Sequence, residues 1–145
     1  MGATVVIIPG EPVAQGRGRA FGFKRADGGI GVRVFDPKKS RDWKATAQQH
    51  MVEAMGSSEP FDGPIRLVVE ARFTLPKSSW RKREPVGRTW HCKRPDGDNV
   101  LKAVKDAAKG VLWLDDCQVC DAQVIKLNGA QGEAPRISVQ VEQLA

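Results

Sequence analysis

The sequence predicts an α+β protein, a small mixed β-sheet with two main helices packed on it in a single domain. Three observations predict this class. Two stretches repeat apolar residues at the period of a helix: Trp43, Ala47, Met51 and Ala54 in one, and Val100, Val104, Ala107, Ala108 and Val111 in the other. Shorter stretches alternate apolar and polar residues at the period of a strand, Ile65 to Leu75 most clearly. The two kinds interleave along 145 residues, enough for one sizeable core and too few for two.

In chain order, Thr4 to Ile8 (TVVII), stopped by Pro9 and Gly10, reads as a first strand, central because it is apolar on both faces. Gly10 to Gly31 is glycine-rich and basic, a loop or irregular hairpin carrying Arg17, Arg19, Lys24 and Arg25, and a short strand follows from Val32 to Phe35. Ser40 can cap the first helix, which runs to about Met55 and stops at Gly56. In the Ile65 to Leu75 strand, Ile65, Leu67, Val69, Ala71, Phe73 and Leu75 share the core face, while Arg66, Val68, Glu70, Arg72 and Thr74 share the other. From Pro76 to Arg94 the periodicity ends in a basic loop. Asp98 or Asn99 can cap the second helix, and Gly110 suits its C-terminal stop. A strand over about Gln118 to Leu127, a turn at Asn128-Gly129 and a last strand from Arg136 to Glu142 follow.

The 23 Lys and Arg against 17 Asp and Glu give a net charge of +6, which makes an anionic polymer a natural partner. No apolar run approaches the roughly 20 residues of a membrane span, and the N-terminus has no signal-peptide pattern, so a cytoplasmic protein without membrane contact is expected. Cys92, Cys117 and Cys120 are an odd number with no export signal, and buried or half-buried thiols are expected of them rather than disulfides.

The chemistry concentrates in KRPDGDNVLKAVKDAAKGVLWLDDCQV, Lys93 to Val119, where two aspartate pairs bracket the second helix. Asp96 and Asp98 stand before it, Asp115 and Asp116 after it, and Lys102 lies one turn in. Taken alone, Asp96 is a turn residue, Asp98 a cap and Lys102 a solvated lysine. The second pair changes the reading, because Val111-Leu112-Trp113-Leu114 should carry Asp115 and Asp116 to the edge of the core. If the flanking segments fold back beside each other, four carboxylates converge, and like charges that close require a cation. Clustered carboxylate oxygens suit Mg²⁺, which beside a basic surface suggests phosphodiester chemistry. Two residues apart in an extended segment, Asp96 and Asp98 leave the same face, and Asp106 could pair with Lys102.

Two rival sites fare worse. An EF-hand needs an oxygen ligand and a glycine where Val100 and Leu101 stand. A zinc site on His91, Cys92, Cys117 and Cys120 lacks a second C-x-x-C. The Pro76 to Arg94 loop sets Trp80 and Trp90 among Lys77, Arg81, Lys82, Arg83, Arg88, Lys93 and Arg94, a composition able to contact phosphates and stack on exposed bases.

The chain resembles the RusA family of Holliday junction resolvases, small phage- and prophage-associated endonucleases. The resemblance runs through PDGDNVLKAVKDA, GVLWLDDCQV, Lys126 in the strand that follows, PKSSWRKR, and the N-terminal PGEPVAQGRGR with FDPKKSRDWK, and so covers nearly the whole chain. Gln15 and Gly18 stand where relatives often carry Lys and Pro. The resemblance implies a RusA-like fold spanning 1–145, with the basic loop at 76–94. It makes Asp96, Asp98 and Asp116 metal-binding carboxylates, Asp115 an accessory acid and Lys102 a lysine needed for cleavage. It implies homodimers that use Mg²⁺, with Mn²⁺ as a substitute, to place paired nicks across a four-way DNA junction in recombination and repair. Arg17, Arg19, Lys77, Arg81, Lys82, Arg83, Lys93, Arg94 and Lys126 are the expected DNA contacts. Two alternatives stay open: a less selective flap or branched-DNA nuclease with the same site, and a non-catalytic DNA-binding protein.

Overall fold

The computed structural model describes residues 2–14, 19–35 and 37–145, with the backbone alone at 19, 21 and 33–35. Among the described residues seven strands and two α-helices follow in the order β1 (Ala3–Pro9), β2 (Arg19–Lys24), β3 (Ile30–Phe35), α1 (Lys38–Met55), β4 (Ile65–Phe73), β5 (Thr89–Trp90), α2 (Gly97–Ala108), β6 (Val119–Asn128) and β7 (Arg136–Gln143). Five strands form one mixed sheet in the order β1-β7-β4-β6-β5, and β2 and β3 pair as a separate hairpin. The α+β class and the two helices are as the periodicities predict. No helix among the described residues is long and apolar enough to cross a membrane.

The register explains where the core lies. Val69 of β4 stands opposite Val139 of β7 on one side and Val124 of β6 on the other, and Val6 of β1 pairs with Val139. These residues share one sheet face. Both helices cover it, α1 against β1 and α2, α2 against β6 and β4. Ala47 and Met51 of α1 and Val100, Val104, Ala107 and Ala108 of α2 are buried there in one continuous core with Leu112 and Trp113. The opposite face is polar, and there Arg66 of β4 reaches Asp121 at 2.8 Å and Glu142 at 3.3 Å. Such exposed pairs contribute little stability.

Several local expectations are corrected. The first strand lies at the sheet edge instead of its centre, paired with β7 alone, and it is apolar on both faces but buried on one: Val6 and Ile8 are buried, while Val5 stays 56% exposed. Pro37, not Ser40, occupies the N-cap of α1; Ser40 lies in the first turn, its hydroxyl donating to the Ala14 carbonyl at 3.4 Å. Met55 takes the buried place expected of Ala54. All three cysteines are free and exposed rather than buried.

β4 and β6 run parallel, and α2 belongs to the crossover between them. This connection carries every acid singled out in the sequence. Asp96 is the N-cap residue of α2, and Asp115 and Asp116 stand just before β6.

Candidate active site

α2 begins at Gly97, so Asp98 is already helical and the extended geometry expected of Asp96 and Asp98 does not hold. They line different cavities. Asp96 faces a cavity lined also by Arg94, Pro95 and Asn99. Asp98 and Asp116 line another, of about 330 Å³, with Leu101, Lys102, Lys105 and Asp106. That volume admits a hydrated ion or a phosphate group. The second pair is therefore split as well, Asp116 joining Asp98 while Asp115 turns away.

Hydrogen bonds set the second pair. Trp113, fully buried, donates its indole N–H to Asp116 Oδ1 at 2.9 Å. Asp115 Oδ1 accepts from the Cys117 amide at 3.1 Å and caps a 3₁₀ turn over Asp116–Gln118. Gln118 closes the capping box: its Oε1 accepts from the Leu114 and Asp115 amides, each at 2.9 Å, while its Nε2 donates to the carbonyls of Phe61 and Gly63. The bond from the Cys117 amide, with the nearby Lys109 charge, holds the Asp115 carboxyl below the usual carboxylate range. A side-chain hydrogen bond to Asp115 raises the Cys117 thiol, and a thiolate there would also face the Asp115 carboxylate.

The first pair is held differently. No side chain caps the α2 N-terminus from Asp96, and Asp98 Oδ1 accepts only locally, from the Asn99 amide at 3.0 Å. The chain before them is what is fixed. Lys126 Nζ donates to the carbonyls of Lys93 at 2.8 Å and Pro95 at 2.6 Å. His91 bridges Asn128 Oδ1 at 2.7 Å and the Arg94 carbonyl at 3.1 Å, with its ring stacked 3.8 Å from that of Phe73.

The basic loop is also tied down. Gln131 Oε1 accepts from the amides of Arg81 and Val86, and its Nε2 donates to the Arg81 carbonyl. Glu133 takes Arg88 in a bidentate pair at 2.6 and 2.8 Å and Arg72 at 3.2 Å. These contacts, the Arg88 bonds first, hold the Glu133 carboxyl down at about 2. Arg88 is thus committed, whereas Lys77, Arg81, Lys82, Arg83, Lys93 and Arg94 are exposed and enter no ion pair among the described residues. Trp90 is 75% exposed on β5. Arg17 lies outside the described residues, and of Arg19 only the backbone is described.

Sequence reasoning missed Trp113, Gln118, His91, Asn128, Gln131 and Glu133 as supports. Only the Asp115-x-x-Gln118 spacing of a capping box could have been read in advance.

Residues 9–142 match the family described as Endodeoxyribonuclease RusA. The chain belongs to the RusA family. A protein of Bacillus subtilis (strain 168) described as Uncharacterized protein YqaN is 34% identical over 147 residues, spanning 95% of this chain and 94% of that one. For a RusA-family nuclease, the donor set of Asp96, Asp98, Asp115 and Asp116 suits a hard divalent cation, being oxygen throughout. Among the described residues no three His, Cys, Asp or Glu side chains are grouped closely enough to hold one. The donors fit in kind, and Asp98 with Asp116 fits in place.

Proposed function

We propose that this chain is a divalent-metal-dependent, structure-selective endonuclease that resolves four-way DNA junctions by paired nicks, acting as a homodimer in cytoplasmic DNA recombination and repair. The observation that carries the reading, beside family membership, is the cavity shared by Asp98, Asp116 and Lys102. Asp96, Asp98 and Asp116 would hold Mg²⁺ or Mn²⁺, with Asp115 in an accessory role. The metal, when bound, supplies Lewis-acid charge and an activated water for phosphodiester hydrolysis.

The protein's own groups do the rest. Lys102, exposed one turn into α2, places an ammonium where negative charge gathers on the phosphate in the transition state. The Trp113 bond keeps one oxygen of Asp116 oriented, which lowers the cost of organising the site. Lys77, Arg81, Lys82, Arg83, Lys93 and Arg94 would meet phosphates on a loop already ordered by Gln131 and Glu133, with Arg17 and Arg19 as further cations. A two-fold dimer would present two such sites to the two symmetric strands of a junction.

The test is cleavage of a synthetic four-way junction, a flap and a linear duplex, each with Mg²⁺ and with chelator. The reading expects metal-dependent cleavage of the junction above the other two. Equal cutting of flap and junction makes it a less selective nuclease, and binding without cleavage in Mg²⁺ makes it a DNA-binding protein. A mixed dimer of wild-type and Asp98→Asn subunits should nick a cruciform plasmid and stall; full linearisation overturns the paired-nick mechanism.

A further inference from the structure

The segment that delivers Asp96 to the site lies across a platform on β6. Val124, Lys126 and Asn128 are spaced two apart on that strand and share the face that α2 covers. A Cβ on Gly97 would stand 3.6 Å from the Val124 side chain, so the helix starts in close contact with the strand. Further along, Lys126 takes the carbonyls of Lys93 and Pro95, and His91 takes the carbonyl between them, that of Arg94. The Asp96 carbonyl accepts from the Asn99 and Val100 amides of the first helical turn. Four consecutive carbonyls are thus each satisfied, by two side chains and the helix start.

His91 is itself fixed. Its amide donates to the Lys126 carbonyl at 3.0 Å, and its ring lies on Phe73. Asn128 Nδ2 donates to Thr89 Oγ1 and the Trp90 carbonyl, which turns Oδ1 toward His91 Nδ1.

We infer that Lys126 and His91 are positioning residues that set Asp96 through the backbone, and that Lys126 does this in place of the phosphate contact its charge suggests. The inference rests on the nuclease reading above. An ammonium 2.6 and 2.8 Å from two carbonyls and half-buried beside the loop has two of its three donors directed at the chain instead of at DNA. Since Asp96 has no hydrogen bond of its own at the helix start, the clasp is what orients it.

The experiment compares the full-length wild type with Lys126→Met and His91→Phe, the latter keeping a ring on Phe73. Junction binding is measured in chelator, and the Mg²⁺ concentration for half-maximal cleavage is measured on saturating junction. Supports behind ligand groups commonly change metal affinity or activity by about 10- to 100-fold. Each variant should therefore need about tenfold more Mg²⁺ or cleave about tenfold more slowly, with binding in chelator unchanged. The double variant should lose less than the product of the two, because both act on one segment. Trypsin should cut after Lys93 faster in each. Weaker binding of Lys126→Met in chelator, with a flatter salt dependence, assigns the lysine to phosphates and overturns the inference. So does cleavage by both variants at the wild-type rate and the wild-type Mg²⁺ requirement. A wild type that leaves the junction uncut in Mg²⁺ overturns the nuclease reading and the inference with it. Should Lys126→Met fail to fold, His91→Phe alone decides.

Discussion

The two aspartate pairs that bracket α2 are oriented by opposite means. Asp115 and Asp116 are gripped at their carboxylates, by the Cys117 amide and by the Trp113 indole, inside a turn that Gln118 closes. Asp96 and Asp98 carry no such grip from elsewhere in the fold and take their place from backbone pinned upstream by Lys126 and His91. A carboxylate held by its own hydrogen bonds keeps its direction whatever the chain nearby does. One held only through its backbone inherits every loosening of that backbone. The basic loop shows both manners, since Glu133 grips the Arg88 guanidinium itself while Gln131 holds Arg81 and Val86 by their backbone.

The largest expected effect tests whether the pairs are equal in chemistry despite this difference. Asp98→Asn and Asp116→Asn should each abolish junction cleavage in Mg²⁺ while binding persists or tightens, because a lost charge lessens repulsion of phosphate. Cleavage by either purified variant at the wild-type rate would remove that residue from the site.

Next comes the grip itself. Trp113→Phe should lower unfolding free energy by about 2 kcal/mol, from a small cavity and a lost hydrogen bond, and should also slow cleavage. Denaturant titration and a single-turnover assay measure the two. Stability lost with cleavage intact would mean that Asp116 needs no orientation. Gln118→Ala should cost about 1 kcal/mol, since the exposed amides it caps can turn to water. An unchanged denaturant midpoint would show that the turn holds without its box.

The smallest effect concerns acid. Glu133 has its carboxyl depressed from the ordinary 4.5 to about 2, chiefly by the Arg88 bonds. A depressed acid stabilises in full above its unfolded value, and that contribution fades as pH falls through the folded one. The stability advantage of wild type over Glu133→Gln should thus shrink from pH 4.5 toward 2. A constant gap across that range would place the loop under other control.

Much of the fold was legible because its periods are local. The alternation from Ile65 to Leu75 and the apolar spacing from Val100 to Ala108 each encode one buried face, and a sheet and a helix satisfy them in the expected places. The position of β1 was not legible, since TVVII reads the same at an edge as in a centre; it pairs with β7 alone, and Val5 points to the face away from the helices. In the candidate site, the four aspartates and Lys102 stand out by spacing and charge alone. Which of them meet was decided by where α2 starts. Beginning at Gly97, the helix sets Asp98 in the lining of the cavity that Asp116 also lines, while Asp96 lines another. The supports were decided only in three dimensions, because Lys126, His91 and Gln131 act on carbonyls and amides 31, 3 and 50 residues away, and a backbone group looks alike at every position in a sequence.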